Sequence, residues 1–302
     1  MRERIIIDTD IGDDIDDVLA IALALMSPEL DVIGITTVFK NTALRSRMAQ
    51  KLLRIVGRQN IPVATGLGQP LSPSGSFADH LKLDDVPNQY TEDMAEEKEN
   101  CSKDAVSFLC ETILNAPGEI TLVGIGPLTN IAASLIRLNQ ERVKIRRIVL
   151  MGGAYGFHAA EYNILCDPEA AKIVFESGVD LVCTGLDVTL QCQLDQQAVK
   201  RIQDAGTPMG FFLHQMIECW GGRHLYLHDP LAIGILVDPS IVRTQRKHIR
   251  IETKGEWTRG MTYSTQELDK WWDVNQNNEN ATICTEVDNL QFVSLFLNRI
   301  TR

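Results

Sequence analysis

Short apolar runs rich in β-branched residues alternate with longer segments of helical period from the first residues onward. Residues 4–8 (RIIID) predict a buried strand, and an acidic turn then leads into a helix from about Asp16. Residues 31–38 (DVIGITTV) predict the next strand, and 42–56 the next amphipathic helix. Further strands are expected at 61–66, 120–126 (ITLVGIG), 147–153 (RIVLMGG) and 180–184 (DLVCT), most of them separated by helical segments. Such alternation is the signature of parallel strands joined by crossovers. Continuous apolar strands suit a sheet covered on both faces. The pattern predicts an α/β fold built on an open, mostly parallel sheet with helices on both faces.

Two stretches break the rhythm. Residues 67–100 are Gly/Pro/Ser-rich and then acidic, which predicts a surface excursion. Residues 255–280 carry Trp257, Trp271 and Trp272 among polar positions, ahead of 282–287 and a closing helix. Neither reads as a linker, and no internal repeat is visible, so residues 1–302 are read as a single domain. The basic group Arg243, Arg246, Lys247, His248 and Arg250 reads as a solvated strand edge or loop.

Composition narrows the partners. Asp and Glu number 40 against 29 Lys and Arg, a formal charge of −11. That balance argues against a polyanion-binding surface, so nucleic acid and acidic membranes are not expected partners. The 7 cysteines are odd in number and scattered without a C-x-x-C pair, which favours buried thiols in a reducing compartment over disulfides or zinc. The start, MRERIIIDTD, lacks the apolar core of a signal peptide, and the apolar run 18–26 is too short to span a bilayer. The expected location is the cytoplasm.

The densest chemical signal is Asp8-Thr-Asp10-Ile-Gly12-Asp13-Asp14-Ile-Asp16-Asp17, at the carboxyl end of the first strand. Open α/β sheets place their ligands there. Neighbouring carboxylates repel unless a cation or hydrogen-bond donors compensate, and oxygen-only ligands suit Ca²⁺ or Mg²⁺ rather than zinc. Gly12 allows a tight turn. Capping of a helix N-terminus would explain Asp16 and Asp17 without metal, but leaves Asp8 and Asp10 unexplained. An EF-hand is excluded, because Gly12 falls where a ligand is required. A strand ending in D-x-D also suits an aspartyl-phosphate phosphatase, with Asp8 as nucleophile and Asp10 as acid/base.

Polar residues recur at later strand ends. They include Asn41, Gly126-Pro-Leu-Thr-Asn130, Met151-Gly-Gly-Ala-Tyr155, Glu161-Tyr-Asn163, Asp167-Pro-Glu-Ala-Ala and His228-Asp229-Pro230. Gathered at one sheet edge, they suit a polyhydroxylated ligand held over a hard cation. At this point the sequence resembles the nucleoside hydrolase family of the inosine–uridine-preferring type. The matching pieces are DTDIG with Asp16-Asp17, Asn41, GPLTNIA, MGGA, AEYN, DPEAA, HDPLA, TRGMT and VDNLQF, in family order along nearly the whole chain.

The resemblance implies a Rossmann-like open sheet and hydrolysis of a ribosyl C–N bond in a small-molecule ribonucleoside. It implies Ca²⁺ held by Asp10, Asp17, the Ile125 carbonyl and Asp229, with Asp10 as general base. Asp16, Asn41, Glu161 and Asn163 would bond the ribose hydroxyls, and His228 would help the base depart. A homodimer or homotetramer is the family expectation.

Several positions depart from the family pattern. The Asp pair usually follows one residue after Gly; here the loop is two residues longer, so Asp14, Asp16 and Asp17 compete for its roles. The helix beginning directly after them favours Asp16 and Asp17. Lys40 stands where Gly is usual before Asn41. The segment between MGGA and AEYN lacks its usual Asn, so a contact near the 5′-hydroxyl is either missing or replaced by Tyr155 or His158. Ala78-Asp79-His80-Leu81 replaces a customary His-Gly. Trp220, His224 and Tyr226 are candidates to stack on a nucleobase, or to serve as ordinary packing. The alternatives are a hydrolase of a modified nucleoside or another N-riboside, the phosphatase, and a non-catalytic Ca²⁺- or ribose-binding protein.

Overall fold

A computed structural model describes residues 2–72, 82–264 and 279–302. His80, Trp271 and Trp272 therefore lie outside the described residues. The first strands are β1 (Glu3–Thr9), β2 (Leu30–Thr37), β3 (Val63–Thr65), β4 (Ile120–Gly124), β5 (Arg147–Met151) and β6 (Leu181–Thr184). They are followed by β7 (Gln193–Leu194), β8 (Leu225–Tyr226), β9 (Val242–Lys247), β10 (Ile249–Ile251), β11 (Thr262–Ser264) and β12 (Ala281–Val287). The early helices are α1 (Asp16–Leu25), α2 (Thr42–Ile55), α3 (Ala105–Asn115), α4 (Thr129–Leu138), α5 (Tyr162–Cys166) and α6 (Pro168–Phe175). The later ones are α7 (Leu186–Thr189), α8 (Gln196–Gln203), α9 (Pro208–Trp220), α10 (His228–Val237) and α11 (Asn289–Ile300).

Eight strands form one sheet in the order β3-β2-β1-β4-β5-β6-β12-β9, parallel except for the β12–β9 pair. The two-residue period of β1 sets the layers. Ile5 and Ile7 join the hydrophobic cluster that includes Val18, Leu19, Leu231 and Phe292 of α1, α10 and α11. Ile6 points the other way, into the cluster with Leu109, Ile131 and Val174 of α3, α4 and α6. Helices on both faces and an open sheet are thus what the apolar runs predicted. The basic group lies partly on β9, the exposed edge strand, where Arg243 approaches Glu286 at 3.5 Å and Arg246 approaches Asp180 at 3.4 Å.

The chain leaves β1 to build β2 and β3 on one side, then returns to β4 on the other. Such a switch point opens a crevice at the carboxyl ends of its two strands. Asp10 follows β1 and Ile125 follows β4, and the Ile125 amide donates to the Asp8 carbonyl at 2.8 Å. The two loops that carry the candidate chemistry are therefore neighbours by topology. Strands expected to run to Gly126 and Gly153 end at Gly124 and Met151, because the chain peels away there to line the crevice.

Candidate active site

The crevice is a cavity of about 430 Å³. The first loop contributes Asp10, Asp13, Asp14, Asp16 and Asp17 to it. Ile125, Met151, Ala160, Glu161, Tyr162, Asn163, Leu186, His228 and Asp229 supply the remaining walls. Asp16 and Asp17 occupy the first turn of α1, whose N-cap Ile15 makes no side-chain capping bond. Asp229 lies in the first turn of α10, the helix packed beside α1. That packing brings oxygens of Asp16, Asp17 and Asp229 within 4.8 Å of one another, all three residues buried.

Burial is the largest force on these groups. It raises Asp16 well above the usual carboxylate range, with Asp14 and Asp10 adding repulsion. Asp17 is raised by burial and by Asp10 and Asp16, although the Thr9 hydroxyl donates to it. Asp229 is raised by burial, then by Asp16 and Asp17. Asp10 is pushed up to about 6 by burial, against the pull of Arg45. Buried carboxylates converging without matched cations form an all-oxygen donor set, which fits a hard divalent ion.

Glu161 caps α5: its carboxylate accepts from the amides of Gly153 at 3.0 Å, Asn163 at 2.9 Å and Ile164 at 3.1 Å. Burial still raises its pKa, with those amides opposing. Asn163 Nδ2 donates to the carbonyls of Ile125 and Met151, each at 3.2 Å, so it ties the ends of β4 and β5 together. His228 opens α10, with Nδ1 2.7 Å from Thr189 Oγ1, and burial lowers its pKa to about 4. Tyr226 lies against its ring at a 5.3 Å centroid distance, and His224 lies 6.2 Å beyond Tyr226.

Other candidates stand apart from the cavity lining. Asn41 caps α2 through Leu44 N at 3.3 Å. Asp8 is buried beneath the loop, its Oδ1 accepting from Thr36 at 2.5 Å and Asn130 at 2.8 Å. Burial pushes Asp8 up to about 7, with those donors opposing. The Tyr155 hydroxyl donates to the Gly152 carbonyl at 2.9 Å, and His158 is exposed. Trp220 packs half-buried on the core at the end of α9.

Comparison with known proteins follows the same lines. The sequence model of the inosine-uridine preferring nucleoside hydrolase family matches residues 5–294. The chain belongs to this family. Pyrimidine-specific ribonucleoside hydrolase RihA of Salmonella paratyphi C (strain RKS4594) is 37% identical over 318 residues, covering 99% of each chain. RihA of Escherichia coli O127:H6 is 35% identical over 316 residues, with the same coverage. Among solved structures, the plant nucleoside hydrolase PpNRh1 superposes with a TM-score of 0.88 at 29% identity, covering 100% of this chain and 99% of that one. A purine-preferring ribonucleoside hydrolase from Gardnerella vaginalis gives 0.83 at 30% identity, covering 99% and 98%. This nucleoside hydrolase is accordingly an N-ribosyl hydrolase of ribonucleosides.

Two neighbours of the site escaped the sequence reading. Arg45 is a charge on the buried stripe of α2, in helical register with Ala49 and Leu52, and that misplaced charge was its signal. Thr189 had none, because it acquires its partner only through long-range packing. Asp13 was read as part of the acidic motif, but its pairing with Lys40 and Arg45 was not.

Proposed function

We propose that this nucleoside hydrolase cleaves the bond between ribose and base with Ca²⁺ held by Asp10, Asp17, the Ile125 carbonyl and Asp229. The observation that carries the reading is the convergence of the Asp16, Asp17 and Asp229 carboxylates in the switch-point cavity beside Asp10. When bound, a hard dication polarises water and sugar hydroxyls. Asp10, lifted to about 6, is mostly ionised at neutral pH and accepts the proton of the attacking water. The water oxygen bonds to the anomeric carbon, and the C–N electron pair leaves with the base. The surrounding carboxylates stabilise the positive charge that develops on the ribosyl ring.

Asp16, Glu161 and Asn163 line the cavity and orient the ribose hydroxyls there. Asn41 stands outside that lining, with Oδ1 engaged as the cap of α2 and Nδ2 donating to the Asp84 carbonyl at 3.4 Å. His228 faces the cavity as a neutral imidazole that hydrogen-bonds the departing base. A substrate lacking a ribose hydroxyl leaves buried polar groups unpaired and is rejected. We read residues 1–302 as one domain, a cytoplasmic homodimer or homotetramer by family resemblance, to be checked by light scattering.

A phosphatase centred on Asp8 finds no support, since Asp8 is 2% exposed and outside the cavity lining. A modified nucleoside or another N-riboside is the second reading, motivated by the departures of the base-side loops from the family pattern. Ribose release from uridine, cytidine, inosine, adenosine, guanosine and base-modified ribonucleosides, with 2′-deoxy controls, tests both. Relatives named for pyrimidine and for purine preference both reach 30% identity, so the panel spans both. No release by folded, Ca²⁺-loaded protein would refute the activity.

A further inference from the structure

Asp13 of the acidic loop and Lys40 of the turn after β2 meet in space, with Lys40 Nζ 3.1 Å from Asp13 Oδ2. Beneath them lies Arg45 of α2, with no exposed surface. Its Nε donates to the Phe39 carbonyl at 2.8 Å. Its Nη1 donates to the carbonyls of Asp10 and Ile11, the latter at 2.8 Å, and Nη2 donates to Asp13 Oδ2 at 2.8 Å. All four bonds hold either the acidic loop or the turn after β2.

The turn is itself strained. Phe39 and Lys40 take successive left-handed conformations, φ 68° and 55°, which residues with side chains rarely adopt. Strain of this kind persists only where surrounding contacts over-determine it. Lys40 from that turn and Arg45 from the start of α2 both converge on the acidic loop, and Arg45 also bonds the turn at the Phe39 carbonyl. The guanidinium bonds carbonyls and Asp13, and so leaves the carboxylates of Asp16, Asp17 and Asp229 to converge on one another.

We propose that Arg45, together with the Lys40–Asp13 pair, is the clamp that fixes the lengthened acidic loop in its cation-holding shape. Arg45 is a positioning residue. It acts through the backbone of Asp10 and Ile11, and it neutralises the extra carboxylate that would otherwise splay the loop. The inference rests on the Ca²⁺ reading above.

The test is calorimetric titration of Ca²⁺ into metal-stripped full chain, wild type beside Arg45→Lys, Asp13→Asn and Lys40→Gly, with melting temperatures for each. Arg45→Lys keeps the charge and loses the fork, so its Ca²⁺ dissociation constant should rise by about 10–100-fold. Lys40→Gly accepts the left-handed turn without strain. It should keep or raise the melting temperature while weakening Ca²⁺ several-fold, a split that a purely structural role would not produce. In both variants, added Ca²⁺ should recover turnover.

If Arg45→Lys does not fold, Lys40→Gly and Asp13→Asn decide the matter. Ca²⁺ affinities within about twofold of wild type in the folded variants overturn the clamp alone. A wild-type chain that binds no Ca²⁺ overturns the metal reading and the clamp with it.

Discussion

Asp16 and Asp229 lie 213 residues apart, yet the Asp229 amide donates to Asp16 Oδ2 at 3.4 Å and both side chains are buried. Folding therefore forces like charges together, because α1 and α10 must pack to cover one face of the sheet. A buried carboxylate without a cation opposes folding. Asp229→Asn should raise the melting temperature of the metal-free protein, by a few degrees for roughly 1 kcal/mol. The same change should abolish the stabilisation by Ca²⁺ and cut turnover. Differential scanning calorimetry with and without Ca²⁺ checks the first two outcomes. A lower metal-free melting temperature would contradict the repulsion.

The same repulsion gives a pH dependence. Asp16, Asp17 and Asp229 all have folded pKa values above those of the unfolded chain. Folding is then not penalised below the unfolded value of about 3.9, and the metal-free fold loses stability as pH rises from there toward the raised values. Protons and cation compete for the same oxygens, so Ca²⁺ affinity should fall as pH drops through those values. The melting-temperature gap between Ca²⁺-loaded and metal-stripped protein should be wide above the raised values and close as pH falls through them, well before the ordinary carboxylate range is reached. A gap independent of pH would argue that the carboxylates do not hold the ion.

Gly126 leaves room for the proposed base. A Cβ on this residue would lie 2.6 Å from Asp10 Oδ1 and 2.9 Å from Asp10 N. Gly126→Ala should therefore displace the Asp10 carboxylate while leaving the sheet intact. Misplacement of a reacting group by about 1 Å costs on the order of 10²-fold in rate. The loss should fall on kcat, with circular dichroism unchanged, and Asp10→Asn should lose at least as much.

The strands and the helices on both faces were legible because β1 and its neighbours are apolar on two faces, a pattern that survives without knowledge of tertiary contacts. Asp16 and Asp17 could be chosen within the lengthened motif because an apolar helix begins directly after them, and the structure brings them to Asp229. Asn41 is different. Its place after a strand marked it as a site residue, but the same residue type is a strong helix cap, and capping is the contact formed. Tyr155 shows the same limit: a neighbouring carbonyl satisfies its hydroxyl, and only packing reveals which way the ring turns. Arg45 was passed over because an amphipathic helix tolerates one charge in its pattern, and three of its four bonds go to the acidic loop, more than 30 residues earlier in the chain.

Thr189 offers the sharpest separation of leaving-group assistance from ribose binding. Its buried Oγ1 lies 2.7 Å from His228 Nδ1. A bond at one ring nitrogen fixes the orientation of the imidazole and decides what the other nitrogen presents to the base. Thr189→Val preserves shape and removes that bond, whereas the carboxylates and Asn163 are untouched. Turnover of natural nucleosides should fall by roughly tenfold or more, because help to a poor leaving group is lost. A riboside whose leaving group departs unaided, such as p-nitrophenyl riboside, should be hydrolysed at nearly the wild-type rate. His228→Ala should show the same selectivity more strongly. Equal losses on both substrates would place Thr189 and His228 in ribose binding or folding instead of base departure.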